Sequence, residues 1–187
     1  MVFPEIQDLK TPRLRLRKLT MDDVPIYYKR LGNSAAVTKY MLWKPHQDIS
    51  ESVASIQKVL RRYEEGRCYR WGITLRDTDS LIGIIDLLRF EEETGVCSFA
   101  YMLGEDFWGQ GYGTEAVTAV FRFAFEEMKI SAVIADHMTA NPASGTVMRK
   151  AGMSFVQTIT NAYEKDGIRH NADQYRITRE EWLSSHS

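Results

Sequence analysis

The 187-residue chain predicts a mixed α/β fold: a mostly antiparallel sheet of six to seven strands flanked by helices. Three observations carry this. Between Cys68 and Leu103, three strand-like runs follow one another with only hairpin-length connections, which sets them antiparallel. From Val96 onward the pattern becomes strand, helix, strand, helix, strand, the alternation of an α/β unit. Ahead of these lie one strictly alternating strand and two amphipathic helical periodicities.

Each element has its own local reason. Arg13-Leu-Arg-Leu-Arg17 alternates as a half-buried strand does, with Leu14 and Leu16 inward and the arginines on a solvated face. Thr20 to Asp23 supply N-cap chemistry for a helix carrying Val24, Tyr27 and Leu31 on one side as far as Gly32. Asp48-Ile-Ser-Glu51 has capping-box spacing and opens a second helix, striped by Val53, Ile56, Leu60 and Tyr63 and stopped at Gly66. The runs Cys68 to Leu75, Leu81 to Phe90 and Val96 to Leu103 are rich in Ile, Leu, Tyr and Trp, with polar turns between them. A helix with Ala116, Val117, Val120, Phe121, Ala124 and Phe125 on a wide apolar stripe follows. Then come a strand from Val133 to Met138 and a short helix from Asn141, a suitable N-cap, to Ala151, stopped by Gly152. A hairpin of Ser154 to Ala162 and Asp173 to Thr178 ends the sheet. No repeat or linker divides the chain, so one domain over 1–187 is expected, with its core at about 11–180.

Composition narrows the function. Lys+Arg 24 against Asp+Glu 25 gives a net charge of −1, which argues against broad nucleic-acid binding and against a polybasic membrane anchor. No apolar run approaches the roughly 18 to 20 residues of a membrane span, and the N-terminal residues do not read as a signal peptide. A cytoplasmic protein is expected. Cys68 and Cys97 lie in strand-like runs as two buried, inert thiols, with neither metal-ligand spacing nor a disulfide framework, and no metal is expected.

The chemistry concentrates in Phe107-Trp-Gly-Gln-Gly-Tyr-Gly-Thr-Glu-Ala116, where three alternate glycines run from a strand into a helix. Close backbone approach at glycine and the unpaired N–H groups of a helix start together make a phosphate cradle. A nucleoside-triphosphate loop is excluded, because Gln110 and Gly111 stand where Lys and Ser/Thr are required after Gly104 and Gly109. Gly111, Gly113 and Ala116 do fit a dinucleotide fingerprint, with Asp136 at about the right distance. However, seven residues separate strand from glycines, and that motif belongs near the start of its fold. The third alternative is a pyrophosphate loop for acetyl-coenzyme A. Here the chain resembles the GNAT superfamily of N-acetyltransferases, whose loop reads Arg/Gln-x-x-Gly-x-Gly/Ala. Gly111 and Gly113 match, and Trp108 departs from the Arg/Gln position. Tyr/Phe-Trp-Gly-x-Gly-Tyr-x-Thr-Glu-Ala is carried by the branch resembling ribosomal-protein N-terminal (alanine/serine) acetyltransferases. Asn141-Pro-Ala-Ser144 and Lys150-Ala-Gly-Met153 resemble a second block of that branch.

The resemblance implies a GNAT-like sheet in which the fourth and fifth strands splay apart and coenzyme A inserts its pantetheine arm. It implies acetyl-coenzyme A as cosubstrate, bound by Gly109, Gln110, Gly111, Tyr112, Gly113 and Thr114. It assigns the pantetheine to main-chain groups of Tyr101 and Leu103, with Asn141, Ser144 and Lys150 as further contacts. Ser144 is expected beside the departing thiolate, where a hydroxyl can donate, with Tyr112 as the alternative donor. Many relatives carry a Glu two residues ahead of the Ala100-Tyr101 position, where this chain has Ser98. Substitute bases are Asp86, which interrupts an apolar run, His137 at a strand end, and Glu105. Direct transfer in a ternary complex is favoured over an acyl-enzyme, since neither cysteine has a local His/Asp partner. The acceptor is an amine, either a protein N-terminus or a small molecule. Trp43, Tyr69, Trp71 and Phe90, together with the loop Met41–His46, are candidates for its cleft, and a homodimer is compatible with the sequence.

Overall fold

The computed structural model describes residues 4–66 and 68–186. Its centre is one eight-stranded sheet. The strands in chain order are β1 (Leu9–Lys10), β2 (Leu14–Arg17), β3 (Tyr69–Leu75), β4 (Leu81–Glu91), β5 (Val96–Leu103), β6 (Ala132–Met138), β7 (Ser154–Lys165) and β8 (Ile168–Thr178). They lie in the order β1-β2-β3-β4-β5-β6-β8-β7. The strand beyond the six or seven expected is β1, only two residues long. The fourth and fifth strands expected to splay apart are therefore β5 and β6.

Every neighbouring pair is antiparallel except β5 and β6. These two run parallel and pair only at Val96↔Ala132, Cys97↔Val133 and Ser98↔Ile134. Beyond Ser98 they part, although β5 continues to Leu103 and β6 to Met138. The phase of the β4–β5 ladder decides what faces the gap. Gly104 N–H donates to the Ile82 carbonyl at 2.8 Å, and Ile84↔Met102 and Asp86↔Ala100 continue that register. Antiparallel residues alternate between bonded and non-bonded pairs. Tyr101 and Leu103 therefore turn their main-chain groups away from β4 and toward the opening.

Among the described residues, six α-helices flank the sheet: α1 (Val24–Tyr27), α2 (Ala35–Thr38), α3 (Ile49–Glu64), α4 (Tyr112–Arg122), α5 (Pro142–Lys150) and α6 (Arg179–Ser185). The helix expected from Val24 to Gly32 is short because its last turn, Tyr28–Gly32, widens to π geometry. The Asp48/Glu51 capping box on α3 forms as expected, but the buried side of α3 is Ser52, Ile56 and Val59. Val53, Leu60 and Tyr63 are its partly buried flank. Two cores result. One holds the inward stripe of α4 with Leu14, Leu16, Trp71 and Phe99, and Trp182 of α6 seals it. The other packs α1 and α3 on Leu81, Ile84 and Met102.

The last hairpin is longer than its hydrophobic pattern. β7 and β8 extend to Lys165 and Ile168 around Asp166-Gly167, whose φ values of 50° and 76° are those of a type I′ turn. The arginines of β2 are not a free solvated face. Arg17 forks onto Asp23 at 2.9 Å and also meets Asp79, while Arg15 pairs with Asp8. Among the described residues, no helix is long and apolar enough to cross a membrane.

Candidate active site

The loop between β5 and α4 is built to expose amide groups. Gly111 occupies the N-cap position of α4 at φ +83°, a conformation that disfavours any side chain with a Cβ. The first helical hydrogen bond is Glu115 N–H to the Gly111 carbonyl at 3.1 Å. The N–H groups of Tyr112, Gly113 and Thr114 are thus left for an outside acceptor, at the positive end of the helix dipole. Gly113 lets α4 sit close to the gap, since a Cβ there would lie 3.4 Å from both Tyr101 and Val147.

Arg13, the residue just before β2, braces the loop. Its guanidinium meets Glu115 at 2.6–2.7 Å, donates to the Gln110 carbonyl at 3.0 Å and lies 4.3 Å over the Tyr112 ring. Glu115 also takes hydrogen bonds from Thr11 Oγ1 and the Arg13 N–H. Burial alone would raise its carboxyl, but these donors hold it below the usual glutamate value. Trp108, at the Arg/Gln position, donates its indole N–H to the Leu103 carbonyl at 2.8 Å. Of the main-chain groups turned to the gap, Leu103 therefore keeps its N–H free while its oxygen is shared.

On the α4 side of the sheet, the tyrosine that meets Ser144 is Tyr101. Burial pushes its hydroxyl up to about 12, and the hydrogen bond with Ser144 acts in the opposite direction. Tyr112 sits elsewhere, between Arg13 and the edge of Phe107. Asn141 caps α5 by position but makes no side-chain cap bond. Lys150 is exposed at the other end of that helix from Ser144.

The opposite face holds a cavity of about 700 Å³. Its floor is the β4–β5 surface, including Asp86 and Ala100, and its far wall is Trp43, His46 and Tyr27. Asp86 is 5% exposed and forms a bidentate pair with Arg70, Nε to Oδ1 at 2.5 Å and Nη2 to Oδ2 at 3.0 Å. Burial pushes its carboxyl up, while Arg70 pulls it back by charge and hydrogen bonding. Ser98, in the position where relatives carry Glu, spends its hydroxyl on the Leu88 carbonyl at 3.2 Å. Asp86 pairs directly across from Ala100, so a carboxylate does stand on this face, one strand away.

Other candidates lie outside. His137 is buried against Tyr175 and donates from Nδ1 to the Met138 carbonyl at 2.8 Å, on the α5 side of β6. A Cβ on Gly145 would sit 2.4 Å from its Nε2, so the ring is a packing element of α5. Glu105 is exposed in a single 3₁₀ turn. Tyr69, Trp71 and Phe90 belong to the α4-side core, leaving Trp43 as the aromatic of that set on the cavity. Both cysteines are buried and free, and burial alone lifts Cys97 to about 12.

Comparison with known proteins bears on this geometry. Residues 13–154 match the acetyltransferase (GNAT) domain family. The chain belongs to the GNAT acetyltransferases. It is 27% identical over 171 residues to the uncharacterized N-acetyltransferase YoaA of Bacillus subtilis (strain 168), covering 91% of this chain and 96% of that one. It is 23% identical over 161 residues to the [ribosomal protein uS5]-alanine N-acetyltransferase of Escherichia coli (strain K12), covering 82% and 76%. It shares its fold with the microcin C7 self-immunity acetyltransferase MccE, solved in complex with acetyl-CoA and AMP. That match has a TM-score of 0.80 at 17% identity, over 90% of this chain and 93% of the other. This GNAT protein is thus an acetyl-CoA-dependent N-acetyltransferase with the splayed sheet that the motif implied.

Sequence reasoning missed four residues whose contacts organise the surroundings of this acetyltransferase's candidate site. Arg13 read as solvent-facing because nothing in an alternating strand reveals a partner 102 residues away. Arg70 was passed over because its own strand is otherwise apolar; only the register Arg70↔Asp86 joins it to Asp86. Lys165 donates to the carbonyls of Thr38 and Met41 at 2.7 and 2.6 Å, tying the β7–β8 tip to the cavity-lining loop. Tyr163, on the same hairpin, hydrogen-bonds Asp136 on β6. The Asp-Gly turn at 166–167 was the available signal for these last two.

Proposed function

We propose that this protein moves acetyl from acetyl-coenzyme A to an α-amine by direct transfer in a ternary complex. The observation that carries the proposal is the end of β5–β6 pairing at Ser98↔Ile134. It leaves main-chain groups of Tyr101 and Leu103 facing a gap that leads to the free amides of α4. In this reading the N–H groups from Gly109 to Thr114 hold the diphosphate, with Gln110 and Tyr112 kept in place by Arg13. Tyr101 N–H and C=O and Leu103 N–H pair with the pantetheine amides as another strand would. Asn141 and Ser144 flank the thioester end, and Lys150, at the far end of α5, is a peripheral contact at most.

Acetyl-coenzyme A supplies the activated acyl group. The chain's own residues manage protons and position. The acceptor amine enters through the cavity on the β4–β5 face, where Asp86 takes its proton, and burial suits the carboxyl to that task. The nitrogen then forms the amide bond as the carbon–sulfur bond breaks. The departing sulfur takes a proton or hydrogen bond from the Ser144–Tyr101 hydroxyl pair. The adjacent gap and cavity, with both thiols buried and raised, favour this route over an acyl-cysteine.

An α-amine is favoured because it is less basic than a lysine side chain: at a polypeptide N-terminus its pKa near 7.7 to 8.0 leaves part of it neutral at pH 7, whereas a lysine near 10.4 carries roughly 300-fold less free amine. The name of the ribosomal relative, an alanine N-acetyltransferase, is consistent with the same preference. A peptide bearing both a free N-terminus and an internal lysine, acetylated by the enzyme and fragmented by mass spectrometry, tests this. Modification of the α-nitrogen is expected, and modification mainly at the lysine would refute it.

A further inference from the structure

Arg70, Asp86 and Ala100 stand in one row across three strands, paired in register as Arg70↔Asp86 and Asp86↔Ala100. Ala100 belongs to β5, the strand that borders the gap. Moving away from the gap, the row presents a carboxylate and then a guanidinium, and all three line the same cavity. Asp86 occupies the Nε and Nη2 donors of Arg70. A guanidinium carries five N–H donors. The Nη1 group has no partner among the described residues, and it is not among the buried polar atoms left unsatisfied. It therefore remains accessible to a molecule in the cavity.

The two opposite charges are 2.5–3.0 Å apart. Nη1 belongs to the same guanidinium, so an acceptor that complements Asp86 and Nη1 at once must carry its own ammonium and carboxylate close together. Attachment to one carbon achieves that; a polyamine, a lysine side chain or a peptide N-terminus has no carboxylate at that spacing. Beside the polar Lys44, Gln47 and Glu51, the lining offers an apolar stretch, Trp43, Met41, Ile84 and Met102, to a side chain. The cavity is also fenced. Lys165 ties the β7–β8 tip to Met41, and Lys44 meets Asp166 at 3.3 Å. Met41 and Lys44 both line the cavity, so the β7–β8 tip is tied to part of its wall.

We infer that the acceptor is a free α-amino acid with an apolar or aromatic side chain, its amine at Asp86 and its carboxylate on Arg70 Nη1. This rests on the acetyl transfer proposed above and names the substrate class for the same site. The transfer yields an N-acetyl amino acid and free coenzyme A, with the ammonium proton passing to Asp86 and then to solvent.

The test uses the intact enzyme at saturating acetyl-coenzyme A, with thiol release as the readout. Phenylalanine, tryptophan and methionine are compared with their amides, with phenethylamine and tryptamine, and with a tripeptide beginning in phenylalanine. The expected kcat/KM for the amino acids is on the order of 10- to 100-fold above their amides, the range for one hydrogen bond to a charged group. The amide has the less basic amine, so its larger neutral fraction works against this ratio rather than for it. In Arg70→Lys, which keeps the charge and loses the fork, the ratio of amino acid to amide should collapse through the amino acid's KM, whatever the variant does to overall turnover through Asp86. A merely structural role for Arg70 would lower all acceptors alike, and that result overturns the inference. If Arg70→Lys does not fold, the wild-type comparison decides alone. Amides, amines or the tripeptide matching the amino acids would overturn the substrate class and leave acetyl transfer standing. Absence of thiol release with every acceptor would overturn both.

Discussion

Replacing Gly111 with valine separates loop chemistry from fold. Gly111 caps α4 at φ +83°, and its Cβ would lie 3.4 Å from Arg13 Nη2, so valine's further methyls would press on a side chain already held by Glu115. A left-handed conformation costs an L-residue about 1–2 kcal/mol. For a domain near this size, 1 kcal/mol moves Tm by about 2–4 °C, so the free protein should melt about 2–8 °C lower. Gly66→Val is the control. Gly66 has φ +66° with open space around it and lies past the end of α3, away from the loop. It should show a similar loss. The two variants differ in their response to ligand. At 100 times its Kd, acetyl-coenzyme A stabilises the folded state by about 2.7 kcal/mol, or about 5–11 °C. Wild type and Gly66→Val should show that shift, measured by scanning fluorimetry. Gly111→Val should lose it, because the branched side chain and the altered turn displace the α4 amides from the diphosphate. NAD should shift none of the three. A folded Gly111→Val that retains the full acetyl-coenzyme A shift would show that the diphosphate binds elsewhere.

Two further outcomes follow from the same geometry. Ser144→Ala and Tyr101→Phe should each lower kcat by about 10- to 1,000-fold, the span for one positioned donor, with the acetyl-coenzyme A thermal shift intact. An unchanged kcat in both would leave Ser144 as a helix residue and Tyr101 as a packing residue. Glu115→Gln should flatten the acid side of the stability curve. Burial raises the Glu115 carboxyl, but Thr11 and Arg13 bring it below its unfolded value of 4.5, so its contribution is complete above that pH and fades as pH falls through the lower folded value. Thermal melts from pH 7 to 3 should show wild type losing more Tm below about pH 4.5 than the variant, and parallel curves would remove the Arg13 brace from the account.

Much of the fold was legible because periodicity and punctuation agree. The α4 stripe Ala116, Val117, Val120, Phe121, Ala124 and Phe125 is wholly buried, and the Asp48/Glu51 box caps α3 where its spacing places it. The conformation of the glycine loop before α4 was legible because its glycines encode backbone geometry, and φ +83° at Gly111 is a property of one residue. What escaped depends on partners distant in sequence. The polar half of the β7–β8 hairpin carries no apolar alternation, so Tyr163 and Lys165 gave no strand signal, though Asp166-Gly167 marked their turn. α6 is seven residues long, and its burial of Trp182 depends on tertiary packing alone. Asp86 stood out as a charge in an apolar run, yet its meaning lies in the register that sets it between Arg70 and Ala100. Tyr112 and His137 were chemically suitable side chains that the chain directs into packing, whereas Tyr101 was read for its main chain and also brings its hydroxyl to Ser144.

The central claim is direct transfer between a cofactor in the β5–β6 gap and an amine in the adjoining cavity. Initial-rate kinetics with both substrates varied test it most directly. Double-reciprocal lines that intersect, together with no radiolabel retained on protein incubated with labelled acetyl-coenzyme A alone, are the predicted result. Parallel lines with a stoichiometric acetyl-protein would place a covalent intermediate on the path and contradict it.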